Sequence, residues 1–153
     1  LQCLFGMTKK PSKLLDGRSF GGYNKGFMPA RTAFDWLSKN PENVDRYIAD
    51  PLCGYPFTAG GYRDMFRGLK RLYPKNLATM DMSVPVRLFS GADDPVGACG
   101  EGVKTTVREL ADAGVKDVTF HLYEGGRHEM LNEVQREQVW SDLIEWMEQH
   151  LPR

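Results

Sequence analysis

Three observations in the sequence predict an α/β fold built on parallel strands. First, residues 84–90 and 118–123 are short apolar stretches of strand character. Second, each runs into a glycine-bearing loop with ionisable groups, residues 91–97 with Asp93 and Asp94, and residues 124–129 with His128. Third, each loop is followed by a helical pattern, and strand–loop–helix twice over is the order of a parallel sheet flanked by helices. Consecutive parallel strands bring both loops to one sheet edge, where an acid and a histidine converge.

Taken in order, residues 1–30 are rich in Gly, Lys and Ser and show little periodicity. Residues 11–15 open a short helix and residues 21–26 form a loop. Residues 32–38 make a brief helix ended by Asn40-Pro41, since a residue before proline is pushed out of the helical region. Residues 42–49 add another helical turn. Thr58 N-caps a longer helix with Tyr62, Met65, Phe66, Leu69 and Leu72 on one face, stopped by Pro74. That stripe reads chiefly as core.

The first strand tolerates Pro85 because the proline stands at its start. Val103, Val107, Leu110 and Ala111 mark the buried stripe of the next helix, which stops at Gly114. After the second strand, Gly125 and Gly126 permit a tight turn, and His128 follows in the loop. Asn132 N-caps a final helix over residues 133–150, with Gln135 reaching back. Trp140, Leu143, Ile144, Met147 and Leu151 form its sheet-packing stripe. His121 reads as a strand side chain and His150 as a frayed end.

Composition narrows the function. The 153 residues suffice for one domain with a core. A formal net charge of zero with 26% charged residues leaves no electrostatic footprint for nucleic acid. No apolar run approaches the roughly 20 residues of a membrane helix. No signal peptide is visible, although the chain does not begin with Met. Cys3, Cys53 and Cys99 are too scattered for a disulfide framework or zinc ribbon, and read as thiols of a reducing, cytoplasmic setting.

The order Asp94 then His128 is that of the last two members of a Ser–Asp–His chain order. Gly91-Ala92-Asp93-Asp94-Pro95-Val96-Gly97 and Leu122-Tyr123-Glu124-Gly125-Gly126-Arg127-His128-Glu129 resemble the C-terminal part of α/β-hydrolases of the monoacylglycerol lipase, lysophospholipase and serine aminopeptidase S33 group. Arg31-Thr32-Ala33-Phe34-Asp35-Trp36-Leu37-Ser38 and Asp50-Pro51-Leu52-Cys53-Gly54 resemble that group's cap region, so the resemblance runs over nearly the whole chain. It implies a partial α/β-hydrolase fold: a helical cap over residues 1–80, then the last two parallel strands and their helices over residues 81–153. It makes Asp94 the triad acid, with Asp93 its competitor, and His128 the base. It also places Phe57, Tyr62, Met65 and Phe66 as candidates to face an acyl substrate. Neither a metal nor an organic cofactor is required.

The nucleophile is the departure. Gly17-Arg18-Ser19-Phe20-Gly21 satisfies G-x-S-x-G, but no buried strand precedes it and no amphipathic helix follows. The expectation is a C-terminal fragment of a serine hydrolase acting on monoacylglycerol- or lysophospholipid-type esters. It carries the Asp and His, and the N-terminal half of the fold carries the serine. The alternatives are a non-catalytic interaction module and a minimal esterase using Ser19. Two strands alone leave sheet edges exposed, which invites self-association or pairing with the other half.

Overall fold

The computed structural model describes residues 6–72, 74–77, 79 and 81–151, so Cys3 lies outside the described residues. In order, the elements are helices α1 (Lys13–Ser19), α2 (Pro41–Ala49), α3 (Ala59–Leu69) and α4 (Pro74–Leu77), strand β1 (Val86–Gly91), helix α5 (Glu101–Asp112), strand β2 (Val118–Tyr123) and helix α6 (Arg136–His150). Short 3₁₀ turns stand at Tyr23–Phe27, Asp35–Leu37, Lys70–Leu72 and Met130–Asn132.

β1 and β2 pair in parallel, from Val86 opposite Val118 to Gly91 opposite Tyr123, with α5 as the crossover. Side chains alternate across the pleat. Val86, Leu88 and Val118 join Leu77, Leu110 and Val115 in one apolar cluster. Phe89 and Tyr123 join Met130, Val139 and Leu143 in a second. The two-stranded sheet is therefore covered by α5 on one face and reached by α6 on the other. On α5, Leu110 is buried, Val103 and Val107 are half-buried, and Ala111 is exposed rather than part of the stripe. The helix ends where Gly114 takes φ +104° and Val115 N–H returns to the Leu110 carbonyl at 3.0 Å.

Capping explains the N-terminal helices. The Ser12 hydroxyl accepts from Leu15 N–H, the Asn40 side chain from Glu42 N–H, and the Thr58 hydroxyl from Gly61 N–H. Pro41 is the first residue of α2, where its missing N–H costs no hydrogen bond. The expected loop at 21–26 is largely a 3₁₀ turn, and the expected helix at 32–38 contracts to Asp35–Leu37. Asp35 causes the contraction, since its carboxylate accepts from Arg31 and Thr32 N–H and from the Thr32 hydroxyl.

Three expectations about packing need correction. The α3 stripe is core only at Tyr62, which is 0% exposed, whereas Phe66, Leu69 and Leu72 are 44%, 50% and 62% exposed. The last helix begins at Arg136, and Asn132 sits in the preceding 3₁₀ turn, because the Glu133 side chain turns inward. Its buried face runs through Val139, with Leu143 half-buried, while Trp140, Ile144, Met147 and Leu151 remain exposed. Moving one residue along a helix turns the face by about 100°. His150 is not frayed: Nδ1 meets the Trp146 carbonyl at 2.6 Å and Nε2 meets Asp117 Oδ2 at 2.9 Å. His121 is an exposed strand residue whose ring lies 4.3 Å from that of Tyr123. Among the described residues, no helix is long and apolar enough to cross a membrane.

Candidate active site

The site is built where β1 and β2 end. Gly91 closes β1 hard against the next loop, since a Cβ there would stand 2.1 Å from the Gly126 carbonyl oxygen. Ala92 N–H donates to the Tyr123 carbonyl and Asp93 N–H to that of Gly126, both at 2.9 Å, so the loops stay zipped beyond the sheet. Asp94 then turns inward and is 6% exposed. Its Oδ1 accepts from Val96 N–H at 2.9 Å, and its own carbonyl accepts from Cys99 N–H at 2.8 Å. Ala98, Cys99 and Gly100 follow with φ of 50°, 52° and 88°, a left-handed turn that feeds α5.

On the second loop, Gly125 takes φ +65° and Gly126 N–H returns to the Tyr123 carbonyl at 3.0 Å, a tight turn that delivers His128. Its Nδ1 lies 3.0 Å from Asp94 Oδ2, and the Ser90 hydroxyl reaches the same oxygen at 3.4 Å. The His128 ring packs 5.2 Å from that of Trp36, and Nε2 has no hydrogen-bond partner among the described residues. Asp93 is half-buried, and its carboxylate makes no hydrogen bond or ion pair among the described residues.

Burial pushes the Asp94 carboxyl up, but the hydrogen bonds from His128 and Val96 outweigh it and hold the group below its ordinary 3.8. The hydrogen bond to Asp94 raises His128 above 6.5, against the opposing effect of burial. Stability contributed by the raised histidine is present below 6.5 and lost as pH rises through its higher folded value. Stability contributed by the depressed carboxyl is present above 3.8 and lost as pH falls through its lower folded value. The destabilisation caused by His128→Gln is therefore expected to be largest between pH 3.8 and 6.5. Thermal melts of both proteins across that range check this, and a pH-independent gap would rule out an ionic pair.

The His128 loop is also bound to the segment around Trp36. Arg127 donates from Nη1 to the carbonyls of Asp35 and Ser38, and its guanidinium lies 4.1 Å over the Phe27 ring. Glu129 N–H donates to the Leu37 carbonyl at 2.8 Å. Glu133, 0% exposed, accepts from Ser38, Lys39, Arg127 and Val134.

Beside Trp36 opens a cavity of about 320 Å³ walled by Phe20, Phe34, Trp36, Tyr47, Tyr55 and Phe57. Of the four residues expected to face an acyl group, Phe57 alone lines it. Tyr62 is buried, donates to Asp16 Oδ1 at 3.1 Å, and packs between Phe57 and Phe66. Met65 is half-buried and Phe66 is 44% exposed on α3, outside this wall. The other five aromatic residues were not read as site residues in the sequence, because they come from short turns and helix ends without common periodicity, Phe20 at the end of α1 and Tyr47 in the last turn of α2. Only their frequency between residues 20 and 57 hinted at them. Ser19 lies in the last turn of α1, and the next backbone donor, Phe20 N–H, is already held by the Asp16 carbonyl at 2.8 Å.

Known proteins share this architecture. A carboxyl esterase from Bacillus coagulans, solved with glycerol, superposes with a TM-score of 0.87 at 22% identity over 96% of this chain and 48% of that one. A lipase in its open form gives 0.75 at 28% identity, over 97% and 49% of the two chains. The monoacylglycerol lipase of Paleococcus ferrophilus gives 0.64 at 25% identity, over 94% and 55%. A monoacylglycerol lipase of Mycolicibacterium smegmatis (strain ATCC 700084 / mc(2)155) is 29% identical over 120 residues, 76% of this chain and 40% of that protein. The chain thus spans less than half the length of that curated relative. The family described as serine aminopeptidase, S33, matches residues 4–135. With two parallel strands, their flanking helices and the Asp and His loops at one sheet edge, this chain belongs to the serine aminopeptidase S33 family of α/β-hydrolases.

Proposed function

We propose that Asp94 and His128 are the acid and base of a Ser–His–Asp system in an ester hydrolase of the monoacylglycerol lipase type. The observation that carries this reading is the 3.0 Å pairing of His128 Nδ1 with buried Asp94, with Nε2 left without a partner among the described residues. The nucleophilic serine and the oxyanion donors come from sequence outside these 153 residues. The serine hydroxyl attacks the ester carbonyl while Nε2 takes its proton. Collapse of the tetrahedral intermediate breaks the ester C–O bond, and Nε2 gives that proton to the leaving alcohol. Water then attacks the acyl-serine with Nε2 again as base, releasing the acid and restoring the serine. Asp94 keeps the proton on Nδ1 and stabilises the imidazolium.

Residues 1–80 act as the cap, and the aromatic cavity beside Trp36 receives the acyl chain of a monoacylglycerol, lysophospholipid or similar small ester. Residues 81–153 are the acid- and base-bearing part of the core, whose free strand edges pair with the serine-bearing half. A cytoplasmic setting accords with the free thiols of Cys53 and Cys99.

The test is p-nitrophenyl ester hydrolysis by this chain alone and co-expressed with a serine-bearing N-terminal half, with an active-site serine probe mapped by mass. The expected result is turnover only with both halves, and labelling outside this chain. Its pH profile should rise above 6.5, because the base must be neutral and Asp94 holds His128 protonated to higher pH. Turnover by the chain alone, abolished by Ser19→Ala, would establish the minimal esterase instead. A folded complex with neither turnover nor labelling would leave the interaction module.

A further inference from the structure

We infer that Glu133 is a positioning residue whose buried carboxylate ties Ser38 and Lys39 to the His128 loop and thereby sets the distance between His128 and Asp94. The inference rests on the acid–base assignment proposed above. Both carboxylate oxygens are used. Oε1 accepts from Lys39 N–H at 2.9 Å and Arg127 N–H at 3.1 Å. Oε2 accepts from the Ser38 hydroxyl at 2.8 Å and Val134 N–H at 2.9 Å, with a second bond from Lys39 N–H at 3.0 Å.

A carboxylate shut away from water is costly unless its oxygens are well hydrogen-bonded. Here the donors come from two regions distant in sequence, and one of the bonds, from Arg127 N–H, reaches the Gly126–Arg127 peptide one residue before His128. The peptide after His128 is held as well, by Glu129 N–H on the Leu37 carbonyl. His128 is thus bracketed on both sides by bonds to one short segment. That segment also carries Trp36, whose ring packs against the His128 ring. Asp94 is held by its own loop through Val96 and Cys99, and that loop is tied to the histidine loop only as far as the Gly126 carbonyl, two residues before His128, among the described backbone bonds. Beyond Gly126, the separation between acid and base therefore depends on where the strap holds the histidine loop.

Glutamine is the informative replacement. It keeps the length of Glu133 but presents an NH₂ group where one oxygen accepted, so donors are left facing a donor. The reporter is histidine titration by NMR in the 153-residue chain, with amide hydrogen exchange read in the same samples. In Glu133→Gln, the His128 titration is expected to fall toward 6.5 as the histidine loses Asp94. The Lys39 and Arg127 amides should exchange together, at least about tenfold faster. His150, held by Trp146 and Asp117, is the internal control and should titrate unchanged. General loosening would move both histidines, whereas loss of positioning moves His128 alone.

A folded Glu133→Gln protein with an unchanged His128 titration overturns the inference. So does a shift shared equally by His150. If Glu133→Gln does not fold, Ser38→Ala removes one donor from the strap. It should produce a smaller His128 shift in the same direction with faster exchange at Lys39, and no change in either overturns the inference. Asp94→Asn separates the two claims. If His128 titrates in it as in the unsubstituted protein, the acid–base pairing fails, and the positioning role with it. A shift in Asp94→Asn without one in Glu133→Gln sinks only the positioning role.

Discussion

His128→Ala is expected to lower the kcat of the proposed esterase, assembled from this chain and a serine-bearing half, by about six orders of magnitude, the usual cost of removing a triad histidine. The histidine is the only group in the proposed site that both accepts the serine proton and delivers one to the leaving alcohol, so its loss slows both halves of the reaction. Asp94→Asn is expected to cost less, about four orders of magnitude, because an amide at that position favours the wrong imidazole tautomer. KM should change little, since neither side chain lines the aromatic cavity. The double variant should be scarcely worse than His128→Ala, because members of a triad act as one unit. Ser19→Ala should leave kcat unchanged. Steady-state kinetics on these variants and on Asp93→Asn check the assignment. Full activity in Asp94→Asn with loss in Asp93→Asn would transfer the acid to Asp93.

Gly91→Ala is expected to have the largest effect on stability. A Cβ at this position would lie 2.1 Å from the Gly126 carbonyl oxygen, 2.2 Å from its carbon and 2.3 Å from the Arg127 carbonyl oxygen. All three are backbone atoms, so no rotamer change relieves the clash. The loops zipped by Ala92 and Asp93 would have to part. Overpacking of this kind costs about 3 kcal/mol, which for a chain of this size lowers Tm by roughly 10 °C. Because the same loops carry Asp94 and His128, the His128 titration should also shift toward 6.5. Gly17→Ala is the contrasting control. Gly17 lies within α1 with nothing within 4 Å of its Cβ position, and alanine there should stabilise by up to about 1 kcal/mol. Thermal melts of the two variants check both signs. A Gly91→Ala protein as stable as the parent would mean that the loops part without cost.

Much of the site was legible because it depends on local pattern and on a topological rule. Alternating apolar stretches identify β1 and β2, and Gly114 and Gly125 mark positions where the chain turns with positive φ. Once two consecutive strands are parallel, their C-terminal loops share an edge, so the approach of an acid in residues 91–97 to His128 followed from chain order, while the choice of Asp94 over Asp93 came from the family resemblance. Thr58 announced its helix because a cap acts within three residues.

Tertiary structure decided what lies between distant segments. Tyr62 and Phe66 occupy one helical face by periodicity, yet one is buried and the other exposed, because periodicity names a face without naming its neighbour. The aromatic cavity is assembled from turns and helix ends whose side chains obey no repeat. Glu133 read as the first residue of the final helix, and its turn inward depends on donors at Ser38 and Lys39, up to 95 residues away. A buried carboxylate is stable only where hydrogen bonds replace its lost hydration, and the folded chain alone gathers those donors.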